Sequence, residues 1–192
     1  MLDNLKGKRL ILSSKSPRRQ ELLKGLDIDF EIEVRPIDEI YPDDLAAEKV
    51  PEFLSVLKAT TFKNDLDEND ILITSDTIVI LGDEILEKPK SKEEAKSMIR
   101  KMLGKTHTVV TGVALTSAKK QNVFSDHTLV TFGDLTDSEI DFYIEKYEPY
   151  DKAGAYGVQE WIGYVAIDKL EGSYYNVMGL PIHKLYKSLK NF

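Results

Sequence analysis

Leu10-Ile11-Leu12-Ser13-Ser14-Lys15-Ser16-Pro17-Arg18-Arg19 passes from a short apolar run through a polar turn into a helix start. The three aliphatic residues read as a buried strand that ends where the serines begin. Ser16 is a good N-cap, because its hydroxyl can accept a bond from an orphan N–H of the first turn. Pro17 suits the first helical position, where no intrahelical N–H bond is lost. The helix then runs through Leu22 and Leu23 to Gly25.

Further strands and helices alternate downstream. Pro51 opens a second helix, with Phe53, Leu54 and Leu57 on its apolar face and Lys58 near its end. Ile71-Leu72-Ile73 and Ile78-Val79-Ile80-Leu81 form two apolar runs around the polar Thr74-Ser75-Asp76-Thr77, and Gly82-Asp83 is a tight turn. Ser91 and Glu94 match a capping box, and Ala95, Met98, Ile99 and Met102 continue it as an apolar stripe to Gly104. Val109 to Leu115 and Val123 to Phe132 read as two strands around a Lys119-Lys120-Gln121-Asn122 turn. Thr136 to Glu139 is a second capping box, Tyr164 to Ile167 reads as a strand, and Pro181 introduces a last helix. This alternation predicts an α/β fold: a mixed twisted sheet flanked by helices. The 192 residues suit one domain over 1–192, with the middle hairpins open to forming a second lobe beside a central cleft.

Composition narrows the function classes. A formal charge of −7 argues against a surface for nucleic-acid polymers or anionic membranes and leaves room for a small local phosphate site. The absence of cysteine excludes disulfides, thiolate catalysis and Cys-ligated metal centres. No stretch reads as a signal peptide or membrane span, so a cytoplasmic location is expected.

The basic helix start is the first candidate for chemistry. Arg18 and Arg19 in a first turn oppose the helix dipole, and a bound phosphate would remove that conflict through backbone and guanidinium donors. The alternative is a solvated basic turn paired with Glu21, Glu31 or Glu33. Asp76 can be held rigidly at a sheet end, as a general base or magnesium ligand requires; it could also be an aspartate accepting turn hydrogen bonds. Asp38, Glu39, Asp43 and Asp44 offer further oxygens, or simply a solvated loop. Lys88, before Pro89, is a phosphate contact or a surface lysine. Gly154 and Gly157 permit close approach of the backbone, and Gln159 can read donor and acceptor edges of a base. His107, His127 and His183 lack the close spacing of a zinc motif.

In order along the chain, these segments resemble the Maf-like nucleoside triphosphate pyrophosphatase family. The resemblance rests on residues 10–19, Ser75-Asp76-Thr77-Ile78-Val79, Glu87-Lys88-Pro89, residues 104–112, residues 151–159 and residues 172–181. It implies a fold similar to the inosine triphosphate pyrophosphatases and cleavage of a nucleoside triphosphate to monophosphate and pyrophosphate. Asp76 would be the proton acceptor, and Arg18, Thr77 and Gln159 the specificity positions. The Asp-Lys-Ala-Gly-Ala-Tyr-Gly-x-Gln form looks like the branch acting on dTTP and UTP. Ser14, Arg18, Arg19, Lys58, Lys88, Thr77 and Gln159 make up the expected substrate-binding set. Glu39 and Asp76 are the expected ligands of Mg²⁺ or Mn²⁺. A homodimer is compatible with the resemblance. Two departures stand out: Ser75 where alanine is usual, and Glu160-Trp161 where a glycine usually follows the glutamine. The competing class is a nucleotide-sensing protein regulating septation without significant turnover; a phosphomonoesterase would release inorganic phosphate instead of pyrophosphate.

Overall fold

The structure is a computed structural model and describes residues 2–192. Seven strands, β1 (Arg9–Ser13), β2 (Glu31–Ile32), β3 (Asp70–Leu81), β4 (Glu84–Leu86), β5 (Thr106–Thr116), β6 (Gln121–Phe132) and β7 (Ile167–Glu171), form one sheet. The hydrogen-bonded order is β2-β1-β3-β5-β6-β7, with β4 paired to β3. The sheet is mixed, since β1 lies parallel to β2 and β3, whereas β3–β4 and β6–β7 are antiparallel. The helices are α1 (Pro17–Lys24), α2 (Val50–Thr60), α3 (Lys92–Met102), α4 (Asp137–Tyr147), α5 (Trp161–Val165), α6 (Tyr174–Met178) and α7 (Ile182–Lys190). Among the described residues, no helix is long and apolar enough to cross a membrane.

The chain divides into two compact units. The first comprises the chain as far as Asp76, Thr111–Asp126 and Gly179–Phe192. Its parallel strands are covered on both faces, so consecutive residues are all apolar. Leu10, Leu12, Ile71 and Ile73 pack with Leu23, Leu185 and Leu189, while Ile11 and Leu72 pack on the other side with Ala59 and Phe62. Each such aliphatic side chain removed from water contributes roughly 2 kcal/mol. Glycine is required at Gly112 in β5, because a Cβ there would lie 2.3 Å from the Pro51 carbonyl carbon.

The second unit comprises Thr77–Val110 and His127–Met178. The α3 stripe Ala95, Met98, Ile99 and Met102 is buried here with Val79, Phe132, Ile140, Tyr143 and Tyr156. Flanking that stripe on α3, Lys92, Lys96 and Arg100 pair with Glu145, Asp141 and Asp137 of α4. Both series step by four residues in opposite chain directions, as antiparallel helices require.

Several local expectations are corrected. The two apolar runs around Asp76 are one continuous strand, β3, so Asp76 lies within the strand and not at a sheet end; Thr74, Ser75 and Asp76 are buried there with satisfied side chains. Tyr164 to Ile167 is not a strand: α5 runs to Val165 and β7 begins at Ile167. Buried Ile162 and Ala166 are one helical turn apart, with Ala166 N–H donating to the Ile162 carbonyl, while Tyr164 is 83% exposed. Phe53 lies outside the buried face of α2, which is made by Val50, Pro51, Leu54, Ser55 and Ala59. The expected turn at 119–122 sits earlier, capped by the Ser117 hydroxyl, and Gln121 already belongs to β6. At α3, Ser91 accepts from Glu94 N–H, but the Glu94 carboxylate bonds Lys90 N–H, so only half of that capping box forms. Thr136 and Glu139 form both halves of theirs.

Candidate active site

The first unit builds a charged site at the carboxyl end of β1. Ser13 is in register with Thr74, so the chain leaving β1 emerges at the level where β3 carries Ser75 and Asp76. The turn is held locally. Ser14 Oγ accepts from Ser16 N–H at 3.2 Å, the Ser14 carbonyl accepts from Gln20 Nε2 at 3.0 Å, and Ser16 caps α1 through Arg19 N–H. Thus Ser14, Arg18 and Arg19 share one short rigid segment, as the sequence suggested.

Arg19 is tied to the strand. Its Nε donates to the Gly179 carbonyl at 2.7 Å and one terminal nitrogen to the Ser75 carbonyl at 3.0 Å. Burial lowers the pKa of this guanidinium, and the nearby Arg18 lowers it further, whereas Asp76 and Glu39 oppose both effects. These two carbonyls fix the guanidinium at the start of α1, where a helix N-terminus and a guanidinium both suit an anion. Ser75 Oγ also donates to the Gly179 carbonyl, at 3.4 Å, which gives the unusual serine a partner and explains why it is tolerated. Of the alternative acid partners of the helix start, Glu31 pairs with Arg9 and Glu33 with Arg35.

Strand alternation sends Asp76 to the other face. Leu72, Thr74 and Asp76 share that face; Thr74 Oγ1 donates to the Ser55 carbonyl of α2, and Lys58 of α2 reaches Asp76. Lys58 Nζ lies 2.6 Å from Asp76 Oδ1 and 3.2 Å from Glu39 Oε1. The lysine and aspartate side chains are only 16% and 11% exposed, so the pair is poorly screened, while Glu39 approaches from the solvent side at 44%. Two carboxylates on one ammonium form an oxygen-rich acidic pair with a half-share of positive charge each. Sequence reasoning proposed all three residues separately; it did not foresee the lysine bridge or the Gly179 and Ser75 carbonyls that hold Arg19.

Among the described residues, no group of three or more Asp, Glu, His or Cys side chains forms a metal cluster. The Glu39 and Asp76 pair still suits a hard divalent cation of the magnesium type, which commonly uses one or two carboxylates together with substrate phosphates.

The remaining expected residues belong to the second unit. Thr77 follows Asp76 directly along β3 and is half-buried. Lys88 is exposed just beyond β4. Gly154 N–H donates to the Glu87 carbonyl at 3.1 Å, which joins the Lys88 segment to the turn that leads to Gln159. Gly154 has a φ of 69° and a Cβ there would press within 3.1 Å of Val79, so the glycine serves both turn and close packing. Beside Gln159 sits a cluster that the sequence did not reveal. Buried Lys152 lies 2.7 Å from Asp151 and 3.1 Å from Glu160, and Tyr143 OH donates to Glu160.

The chain matches the family described as Maf-like protein over residues 9–192. This chain belongs to the Maf-like protein family. Relatives of this Maf-like chain include the dTTP/UTP pyrophosphatase of Porphyromonas gingivalis, 53% identical over 100% of this chain and 98% of the relative. Those of Phocaeicola vulgatus and Christiangramia forsetii are 49% and 50% identical, covering 99% and 97% of this chain and 99% and 95% of theirs. In fold, the chain is similar to the Staphylococcus aureus Ham1 protein, with a TM-score of 0.54 at 16% identity over 94% of this chain and 100% of that one.

Proposed function

We propose that this Maf-like protein hydrolyses dTTP and UTP to the monophosphate and pyrophosphate. The observation that carries the reading is the Lys58–Asp76–Glu39 bridge beside the Arg19-anchored turn, since it combines a held carboxylate with fixed cationic donors. The relatives named for this activity match it across almost their entire length.

The reaction is attack by water on the α-phosphorus. A P–O bond forms to the water oxygen, the bond to the oxygen bridging the α- and β-phosphates breaks, and pyrophosphate leaves with the bonding pair. Asp76 accepts the proton from the attacking water, and Lys58 keeps that carboxylate in one orientation. Ser14, Arg18, Arg19 and Lys88 take the phosphate oxygens, whose negative charge grows toward the leaving group. Thr77, Gln159 and Arg18 select the nucleotide. Glu39 and Asp76 would hold Mg²⁺ or Mn²⁺, which supplies phosphate charge neutralisation when bound. The protein works in the cytoplasm as a homodimer, a state that light scattering would read directly.

The test is pyrophosphate release from a panel of canonical and modified nucleotides. Asp76→Asn should lower kcat by at least about 100-fold with the fold intact. Gln159→Ala should change the ratio of rates among bases more than the sum. A folded Asp76→Asn enzyme with near-normal turnover removes the proton-acceptor role, inorganic phosphate as product points to a phosphomonoesterase, and tight binding without products favours a sensor.

A further inference from the structure

We propose that Glu160 orients the amide of Gln159 so that its carbonyl oxygen faces the nucleobase, which makes Glu160 a positioning residue favouring uracil and thymine over cytosine. The proposal rests on Gln159 reading the base, as above, and names the atom that does so.

Glu160 receives donors on both oxygens. Lys152 Nζ is 3.1 Å from Oε1, and the Tyr143 hydroxyl donates to Oε2. The third neighbour is Gln159, whose Nε2 lies 3.5 Å from Glu160 Oε1. That contact is long, but its polarity is fixed by chemistry: a carboxylate only accepts, whereas the two ends of an amide differ. Rotating the amide by half a turn would set the Gln159 oxygen against a carboxylate oxygen. The amino group therefore stays toward Glu160 and the carbonyl points away.

That carbonyl oxygen, Gln159 Oε1, is buried and has no hydrogen-bond partner in the chain. A buried acceptor left unsatisfied is unfavourable, so its place is accounted for by a donor from outside the chain. Uracil and thymine carry such a donor, the N3–H between their two carbonyls. Cytosine presents a bare N3 lone pair at the same position, which would meet the Gln159 oxygen acceptor to acceptor. Rejection of a ligand that lacks the required donor is stronger than any preference based on size.

The surrounding segment is built to keep this orientation. Gly157 N–H donates to the Tyr143 hydroxyl at 3.0 Å, and that hydroxyl donates onward to Glu160, so both ends of the 157–160 segment hang on one phenol. The backbone passes so close that a Cβ at Gly157 would lie 2.7 Å from the Glu160 carboxyl carbon and 2.9 Å from Gln159 Nε2. Lys152 is buried and holds the carboxylate from the far side. Glu160 is one of the departures noted in the sequence; here it has a function that glycine could not supply.

The experiment is calorimetric titration of the full-length protein with α,β-imido-UTP and α,β-imido-CTP, so that binding is read whether or not turnover occurs. Wild type should favour the uracil compound by at least about tenfold. Glu160→Gln, whose amide both donates and accepts, should lower that ratio by about tenfold, since Gln159 can then turn either way. Tyr143→Phe leaves the acceptor-only carboxylate in place and should keep the ratio while lowering the melting temperature, which separates orientation from packing. If Glu160→Gln does not fold, Glu160→Ala decides: with no carboxylate beside it the Gln159 amide can turn either way, so the uracil preference should fall likewise. An unchanged ratio in Glu160→Gln or in Glu160→Ala, an equal loss in Tyr143→Phe, or a wild type indifferent to the base each overturns the proposal. A wild type that prefers uracil but releases no pyrophosphate from UTP overturns the hydrolase reading and leaves this one standing.

Discussion

Asp76 and His107 are both buried polar side chains, and their partners give them opposite characters. Asp76 has a lysine at 2.6 Å and remains beside the solvent-facing Glu39. His107 sits edge-on to Phe132 and Tyr156; its Nε2 shares a 2.7 Å hydrogen bond with the Tyr156 hydroxyl, and Nδ1 is buried without a partner. Burial alone drops its pKa to about 4 from the ordinary 6.5. Between those values the unfolded chain binds a proton that the folded chain refuses, so stability falls as pH drops through that window. The loss amounts to about 3 kcal/mol at its lower end. Urea midpoints of wild type should decline from pH 7 to 5, before most carboxylates titrate, and His107→Gln should flatten that decline; parallel slopes in the two proteins would refute the assignment. Asp76 was legible as a carboxylate set among apolar residues. The partners of Arg19 were not, because the Gly179 carbonyl is separated from it by most of the chain and any residue type supplies a carbonyl.

The elements follow from short-range rules wherever one periodicity dominates. The α3 stripe, the Thr136 cap and the two-residue Gly82-Asp83 hairpin were readable because each uses a local signal: helical spacing, a capping hydroxyl, or a glycine with φ of 61° at the first turn position. The segment 161–167 misled because a one-turn helix and a short strand draw on the same apolar residues, and burial of Ile162 and Ala166 settles the matter only after folding. Gly112 belongs at this scale as well. Its missing side chain admits the first turn of α2 against β5, and the nearest atoms are backbone, which cannot rotate aside. Gly112→Ala should therefore destabilise the protein by about 1–3 kcal/mol or more, read from the urea midpoint. A change below the scatter of ordinary surface substitutions would show that the contact relaxes freely.

At the scale of the molecule, the charge of −7 describes an acidic protein in which the proposed phosphate donors are a few local residues. Ligand binding should therefore appear as linkage to global stability. With Mg²⁺ and α,β-imido-dUTP at a hundredfold excess over Kd, the melting temperature should rise by roughly 5–10 °C, and Arg18→Ala should lose most of that rise at the same nucleotide concentration. Scanning fluorimetry reads both; no shift at saturating nucleotide would count against a phosphate site at the β1–α1 turn. The sequence by itself determined the strand, turn and capped helix at residues 10–19, the α/β alternation and the residue types of the site, because apolar periodicity and capping act over a few residues. Only the tertiary structure decided that Lys58 bridges Asp76 and Glu39, that Arg19 is anchored on Ser75 and Gly179, and that Glu160 stands over the Gln159 amide. Those contacts depend on strand register, on which face a residue takes, and on the direction of a single amide. These are properties of packed elements, and no local pattern of residues encodes them.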